Sequence, residues 1–229
     1  INMNSNLGVS FSKVEKLSKM VKKLLDEHKI KKFYLYTSID SWGEQAEYMR
    51  RGLNINLWEK NLDTYLTITG QNVSFMITYN ILSVAYFKPL LEKIMYLRKK
   101  YNINNKKQRI DFDTPYLKEP PHWMINLLPI EFGQYIDNDL NFIQENISNG
   151  DYDSLCFSEH EYEKLKRVRD YFYQGGEKIT SDLIQRGRRD FYSFFTEYDR
   201  RSNLDFEQTF PLYKDFLDAC KVTYEQFER

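Results

Sequence analysis

The sequence predicts an α/β fold: a partial (β/α) barrel of the TIM type, with about four parallel strands, followed by a mostly helical extension. Three observations carry this. Short apolar strands alternate with amphipathic helices up to Pro115. Such alternation with short connections implies parallel strands joined by right-handed crossovers. Each strand turns polar at its carboxyl end, and beyond Pro115 prolines and helical patterns replace the alternation. The expected division is 1–115 for the partial barrel and 116–229 for a linker and helical region.

Ile1 to Asn4 reads as the tail of a strand, with Ser5-Asn6-Leu7-Gly8 as its turn. A chain opening on Ile1 inside a strand suggests that part of a larger protein is missing. Val14, Leu17, Val21, Leu24 and Leu25 share one face of a helix from about Ser12 to His28. Lys32 to Thr37 follows as a strand. Tyr36 to Gly52 reads as a polar loop at its end, carrying Ser38, Asp40, Arg50 and Arg51. Trp58, Leu62 and Tyr65 fall on one face of a helix over Leu57 to Thr69, and Gly70 sits where it should stop.

The next strand is Val73 to Asn80. Past Ser83, a helix from about Tyr86 to Tyr101 buries Leu90, Leu91, Ile94 and Leu97, with Pro89 tolerated in its first turn. Gln108 to Thr114 alternates Ile110 and Phe112 with Asp111 and Asp113, completing β-α-β-α-β-α-β. Four strands are too few to close a barrel but can form an arc of one. Such an arc leaves two sheet edges open unless the helical tail covers one.

Pro115, Pro120, Pro121 and Pro129 punctuate an extended linker containing His122 and Trp123. A helix over Glu131 to Ile147 should stop at Asn149-Gly150. Ser158 with Glu161 forms a capping box for a helix to about Tyr173, and Gly175-Gly176 breaks the pattern. Ser181 to about Arg201 presents Leu183, Phe191, Phe194, Phe195 and Tyr198. A final helical segment follows Pro211.

The formal net charge is zero, which disfavours bulk attraction to nucleic acid or anionic membranes. No apolar run is long enough to span a bilayer, and no signal-peptide pattern is present. Cys156 and Cys220 are too far apart for a disulfide framework, zinc spacing or cluster motif. Reduced thiols and a cytoplasmic location are the expectation.

In a parallel sheet the carboxyl ends share one edge, where α/β proteins place ligand sites. Here those ends are Asn4-Ser5-Asn6, Ser38 with Asp40, Thr78 with Asn80, and Asp111 with Asp113. Turn chemistry accounts for Ser, Asn and Asp at any single position; four polar ends on one edge point to a ligand pocket. Ser38 is expected to hydrogen-bond a ligand carboxylate and Arg50 to supply planar donors. Asp111 and Asp113 face the same side, a pair that a metal-independent hydrolase could use. His28 suits the end of its helix, and His122 reads as a packed linker residue. His160 with Glu163 lacks a third metal ligand. Arg186, Arg188, Arg189, Arg200 and Arg201 lie among Asp190, Glu197 and Asp199, so a solvated helix is expected there rather than a nucleic-acid face.

S-I-D at residues 38–40, then Gly43-Glu44, E-Y-M-R-x-G at 47–52, and Trp58 ahead of Asn61 together resemble the fourth strand and following helix of radical S-adenosylmethionine enzymes. N-S-N-L-G at 4–8 resembles their third strand, V-S-F-M-I-T-Y-N-I-L at 73–82 their fifth, and R-I-D-F-D-T-P at 109–115 their sixth. E-Y-D-R-R-S-N-L-D-F-E-Q-T-F-P at 197–211 resembles the end of the twitch-domain subgroup, many of whose members are phage-encoded. The resemblance covers nearly the whole chain.

It implies a partial (β/α) barrel holding a [4Fe-4S] cluster and S-adenosylmethionine, with a cofactor-derived radical that abstracts a substrate hydrogen. By subgroup analogy the substrate would be a peptide or protein. Carried over by motif, Ser5, Ser38 and Arg50 would contact the methionyl part of S-adenosylmethionine. Thr78 or Asn80 would lie near its ribose or methionyl group, and Asp40 would order the loop. The family's CxxxCxxC and its second-strand Gly-Gly-Glu segment are not in this sequence. The resemblance therefore implies the carboxyl-terminal portion of such an enzyme, from the third strand on, unable to cleave S-adenosylmethionine alone. The alternative is a non-catalytic binding or interaction module derived from the barrel.

Overall fold

Alternating apolar residues in four short segments build the sheet in the computed structural model, which describes residues 1–102, 108–148, 155–175 and 179–227. The strands are β1 (Asn2–Ser5), β2 (Tyr34–Ser38), β3 (Asn72–Met76) and β4 (Ile110–Asp113). They pair in parallel, in the order β1-β2-β3-β4. Helices α1 (Phe11–Asp26), α2 (Glu44–Met49), α3 (Ile55–Thr69) and α4 (Lys88–Asn102) lie in the connections. A helical region follows: α5 (Gly133–Glu145), α6 (Glu159–Gln174), α7 (Ser181–Ser202), α8 (Phe206–Thr209) and α9 (Lys214–Phe227). The α/β class, the parallel sheet and the helical carboxyl-terminal region are as the sequence predicts.

The register puts Leu35 beside Val73 and Val73 beside Ile110, with Thr37, Phe75 and Phe112 in the next row. Period two sends this whole set to one face, where all six are buried. The Trp58 ring meets Phe75 edge-on at 5.4 Å, and its Nε1 donates to the Thr37 hydroxyl at 3.2 Å. Asn61, one turn further along α3, donates to the carbonyls of Leu7 and Val9 at 2.8 and 2.9 Å. The Trp58 and Asn61 pair thus fixes the end of β2 and the loop after β1 to one helix.

Two buried arginines brace the sheet differently. Arg98 is fully buried and donates to the Ile110 carbonyl, the Cys156 carbonyl and the Glu161 carboxylate, joining α4, β4 and the start of α6. Arg109 meets no carboxylate among the described residues; it donates to the carbonyls of Leu66, Gln71 and Tyr101. Leu66 and Tyr101 sit in the last turns of α3 and α4, where helix carbonyls carry partial negative charge.

Local signals hold where they are chemically specific. Gly70 ends α3 with φ of 65° and donates its N–H to Leu66. Ser158 and Glu161 form both halves of the capping box at α6. Gly187 permits a close approach: a Cβ there would sit 2.6 Å from Leu127 Cδ2.

Several boundaries differ from the sequence reading. Tyr36 to Gly52 is not all loop, because α2 forms within it and buries Ala46 and Tyr48. A helix of six residues is too short to show a 3.6-residue period. The strand read to Asn80 stops at Met76, leaving one isolated bridge, Tyr79 to Tyr116. Beyond Met76 the backbone still pairs towards the segment after β4, Ile77 donating to Asp113 and Tyr79 to Pro115, while side chains serve the alternate groups: Asp40 accepts the Thr78 N–H and Asn80 that of Leu82. The helix read from Tyr86 begins at Lys88, and the helix read from Glu131 begins at Gly133. The linker holds 3-10 turns at Pro121–Trp123, Ile125–Leu127 and Ile130–Phe132. The stop signals at Asn149, Gly150 and Gly176 lie outside the described residues.

The helical region packs onto the loops that leave β2 and β3. Tyr48 of α2 is ringed by Tyr198, Phe206 and Phe210, with centroids at 5.2, 6.0 and 5.1 Å. Its hydroxyl donates to Asp199 at 2.7 Å, and Tyr198 donates back to the Tyr48 carbonyl. Tyr213 donates to the Ile81 carbonyl and accepts the Ala85 N–H. One apolar core runs through both segments.

Candidate functional site

The carboxyl ends of β2 and β3 converge on a buried carboxylate. Asp40 is 5% exposed and accepts the Thr78 N–H at 2.7 Å. Arg50, just after α2, places a single Nη2 between both Asp40 oxygens, at 2.9 and 2.8 Å. The helix turns the chain back, so a residue ten positions later returns to the strand end. Burial raises the Asp40 carboxyl above the usual carboxylate range, while the Arg50 charge and the two hydrogen bonds pull it down. Arg50 Nε is buried with no hydrogen-bond partner. Ser38 lies half-buried at the end of β2.

Other predicted site residues are placed differently. The register pairs Ser5 with Thr37, so period two puts Ser5 in the other set from Ser38. The Ser5 hydroxyl accepts the Leu7 N–H at 3.1 Å. Asn80 is almost fully buried; its amide donates to the Thr78 carbonyl and its oxygen closes a turn at Leu82. Thr78 contributes its backbone N–H to Asp40. The structure thus joins Arg50, Asp40 and Thr78 in one network, with Asn80 as a brace beside it.

The second face of the sheet is polar. It comprises Tyr34, Tyr36 and Ser38 on β2, Asn72, Ser74 and Met76 on β3, and Asp111 and Asp113 on β4, most of them half-buried. The Tyr34 and Tyr36 rings stack with centroids 6.3 Å apart. Ser74 donates to Asp111, and Lys164 of α6 pairs with Asp113 at 3.2 Å. Burial raises the Asp111 carboxyl above its ordinary range, and the Ser74 hydrogen bond opposes this. Asp111 and Asp113 do share a face, yet each already has its own partner.

Two clefts lie along α7 and the segment after it, and one of them is lined by α2. One, of about 690 Å³, lies between Glu47, Tyr48 and Arg51 on one side and Asn203, Asp205 and Thr209 on the other. The second, of about 500 Å³, is lined by His122, Asp190, Phe194, Tyr198 and Arg201. His122 stacks on Phe194 at 4.6 Å, and burial lowers its pKa. The α7 arginines are largely paired: Arg186 with Asp182, Arg189 with Asp190, and Arg200 and Arg201 with Glu197. His160 is exposed, and Glu163 pairs with Lys166. Sequence reasoning missed Tyr48 as the anchor of this region; no periodic signal marks it, because its partners lie about 150 residues away.

Among the described residues no group of three or more His, Cys, Asp or Glu could hold a metal ion. Cys220 is fully buried on α9, and burial pushes its thiol up to about 12. Cys156 lies before α6 on a different element. These two thiols do not fit a [4Fe-4S] cluster, which takes Cys thiolates as its usual ligands. The orphaned Arg50 Nε and the Ser38 hydroxyl, two residues before Asp40, are groups that can donate to an acceptor such as a carboxylate. No helix among the described residues is long and apolar enough to cross a membrane. No protein-family model matches the sequence, and no curated protein or solved structure matches it either.

Proposed function

We propose that this chain forms one wall of a radical S-adenosylmethionine enzyme: the later strands of a partial (β/α) barrel, with the helical region folded over their carboxyl ends. The observation that supports this most is the contrast between the two faces of the parallel sheet. One is dry and apolar beneath the helices. The other carries tyrosine, serine, asparagine and aspartate, and ends at the Asp40, Arg50 and Thr78 network. A packed barrel interior would be filled by branched apolar side chains; a polar inner face suits a lumen that holds a polar ligand.

In this reading Ser38 and Arg50 receive the methionyl carboxylate, Asp40 holds Arg50 in place, and the main chain at Thr78 is fixed by the same carboxylate. S-adenosylmethionine, when bound, supplies the radical precursor. The cluster that would cleave it has no ligand set in this chain, so this wall binds and orients, and no chemical step is assigned to it. The substrate class, a peptide or protein, follows from the subgroup resemblance.

The coding DNA immediately upstream of Ile1 tests the reading. An in-frame CxxxCxxC triad is the expected result. A stop codon directly before Ile1 would overturn it, as would turnover of S-adenosylmethionine by the 229-residue chain after anaerobic iron–sulfur reconstitution. The second reading, an interaction module, draws on β1, whose outer edge pairs with no strand among the described residues. An unpaired edge is a template for another chain.

A further inference from the structure

Asp139 of α5 is 2% exposed, and its Oδ2 has no hydrogen-bond partner; the fully buried Tyr79 hydroxyl has none either. The two are near enough that, after burial itself, the Asp139 charge is the main influence raising the Tyr79 phenol. Asp139 lines a cleft of about 390 Å³ together with Lys88, Tyr135, Asn138, Asn141 and Phe142. A buried carboxylate without a hydrogen bond is costly, and either a proton or a cation relieves it.

The charges around it leave a local negative excess. Lys88 and Glu92 of α4 act on Asp139, and Glu145 of α5 lines the same cleft. Lys88 does not satisfy the carboxylate; its Nζ sits over the Phe142 ring, 5.5 Å from the centroid. That contact places a primary ammonium against an aromatic wall of this cleft, a favourable arrangement for a cation. A metal ion is a poorer match, because no three His, Cys, Asp or Glu come together among the described residues.

We propose that the cleft between α4 and α5 binds a small protonated amine, whose ammonium pairs with the Asp139 carboxylate while its carbon end lies against Phe142 and Tyr135. The test is thermal unfolding of the full chain at about pH 8, where a simple alkylamine is protonated. Ethylammonium chloride is compared with sodium chloride at equal ionic strength. At roughly ten times its dissociation constant, ethylammonium should raise the unfolding midpoint by about 3–5 °C. Asp139→Asn, which keeps the size of the side chain, should show no such rise. Equal shifts in the two proteins would overturn the proposal, and so would no shift in the wild type at about 0.1 M ethylammonium.

Discussion

The two faces of the four-stranded sheet are made by alternate residues of the same strands, yet they do different work. Leu35, Val73, Phe75, Ile110 and Phe112 lie under the helices and are almost wholly buried. Tyr34, Tyr36, Ser38 and Asp113, on the other face, remain half-buried and carry polar atoms. The first face supplies the apolar burial that holds the fold. The second contributes less apolar burial and carries paired polar groups instead, Ser74 with Asp111 and Lys164 with Asp113. Its fixed point is Asp40, where burial and ion pairing meet.

The largest effect expected from this contrast is on Phe75. Phe75→Ala should cost about 3–5 kcal/mol in urea unfolding, through lost burial and an unfilled space beside Trp58. Tyr36→Ala, on the opposite face, should cost within about 1 kcal/mol. Equal losses would break the comparison.

Arg50→Met probes the point where the faces meet. It leaves Asp40 buried without its counter-charge and should cost about 2–3 kcal/mol near neutral pH, less than for a wholly buried pair because the Arg50 side chain is 26% exposed. Asp40 titrates above its ordinary range already, and losing Arg50 raises it further. The folded form then binds a proton more tightly than the unfolded chain. The penalty in the variant should therefore be small in acid and grow as pH rises through the folded pKa; a pH-independent penalty would contradict this.

Asp139 gives a smaller effect of opposite sign, because the substitution removes the buried carboxylate itself. Burial holds its carboxyl well above the ordinary range, so its contribution is most favourable below the unfolded pKa and is lost as pH rises. Asp139→Asn should be about 1–2 kcal/mol more stable than wild type at neutral pH. The difference should shrink towards acid in parallel urea titrations. Ser38→Ala is the smallest change. It should alter stability by no more than about 0.5 kcal/mol. It should also abolish the amide shifts at Tyr36 to Asp40 that S-adenosylmethionine is expected to produce in the NMR spectrum of the wild type. Unchanged shifts in the variant would separate Ser38 from the proposed site.

Much of the first segment could be read directly from the residues. Ile110 and Phe112 alternate with Asp111 and Asp113, and the structure turns the two pairs to opposite faces. The Ser158 and Glu161 box and the Gly70 stop are local devices whose hydrogen bonds form within a few residues. The site was only half legible. Ser38, Asp40, Arg50 and Thr78 stand out as polar positions after strands, but the pairing of Arg50 with Asp40 depends on α2, a helix too short to announce itself. Ser5 illustrates the opposite case: a one-residue difference in register assigns it to the Thr37 set.

The sequence by itself determined the alternation of strand and helix, the apolar face of each element, and the polar character of the strand ends, because these follow from local periodicity and turn chemistry. Tertiary structure alone decided which polar ends meet. It set Arg109 among carbonyls rather than acids, closed Tyr48 inside the rings of α7 and α8, and left Asp139 buried without a partner. Such pairings join residues tens to more than a hundred positions apart. They are fixed by packing, where the burial of each group depends on elements that its own neighbours in sequence do not specify.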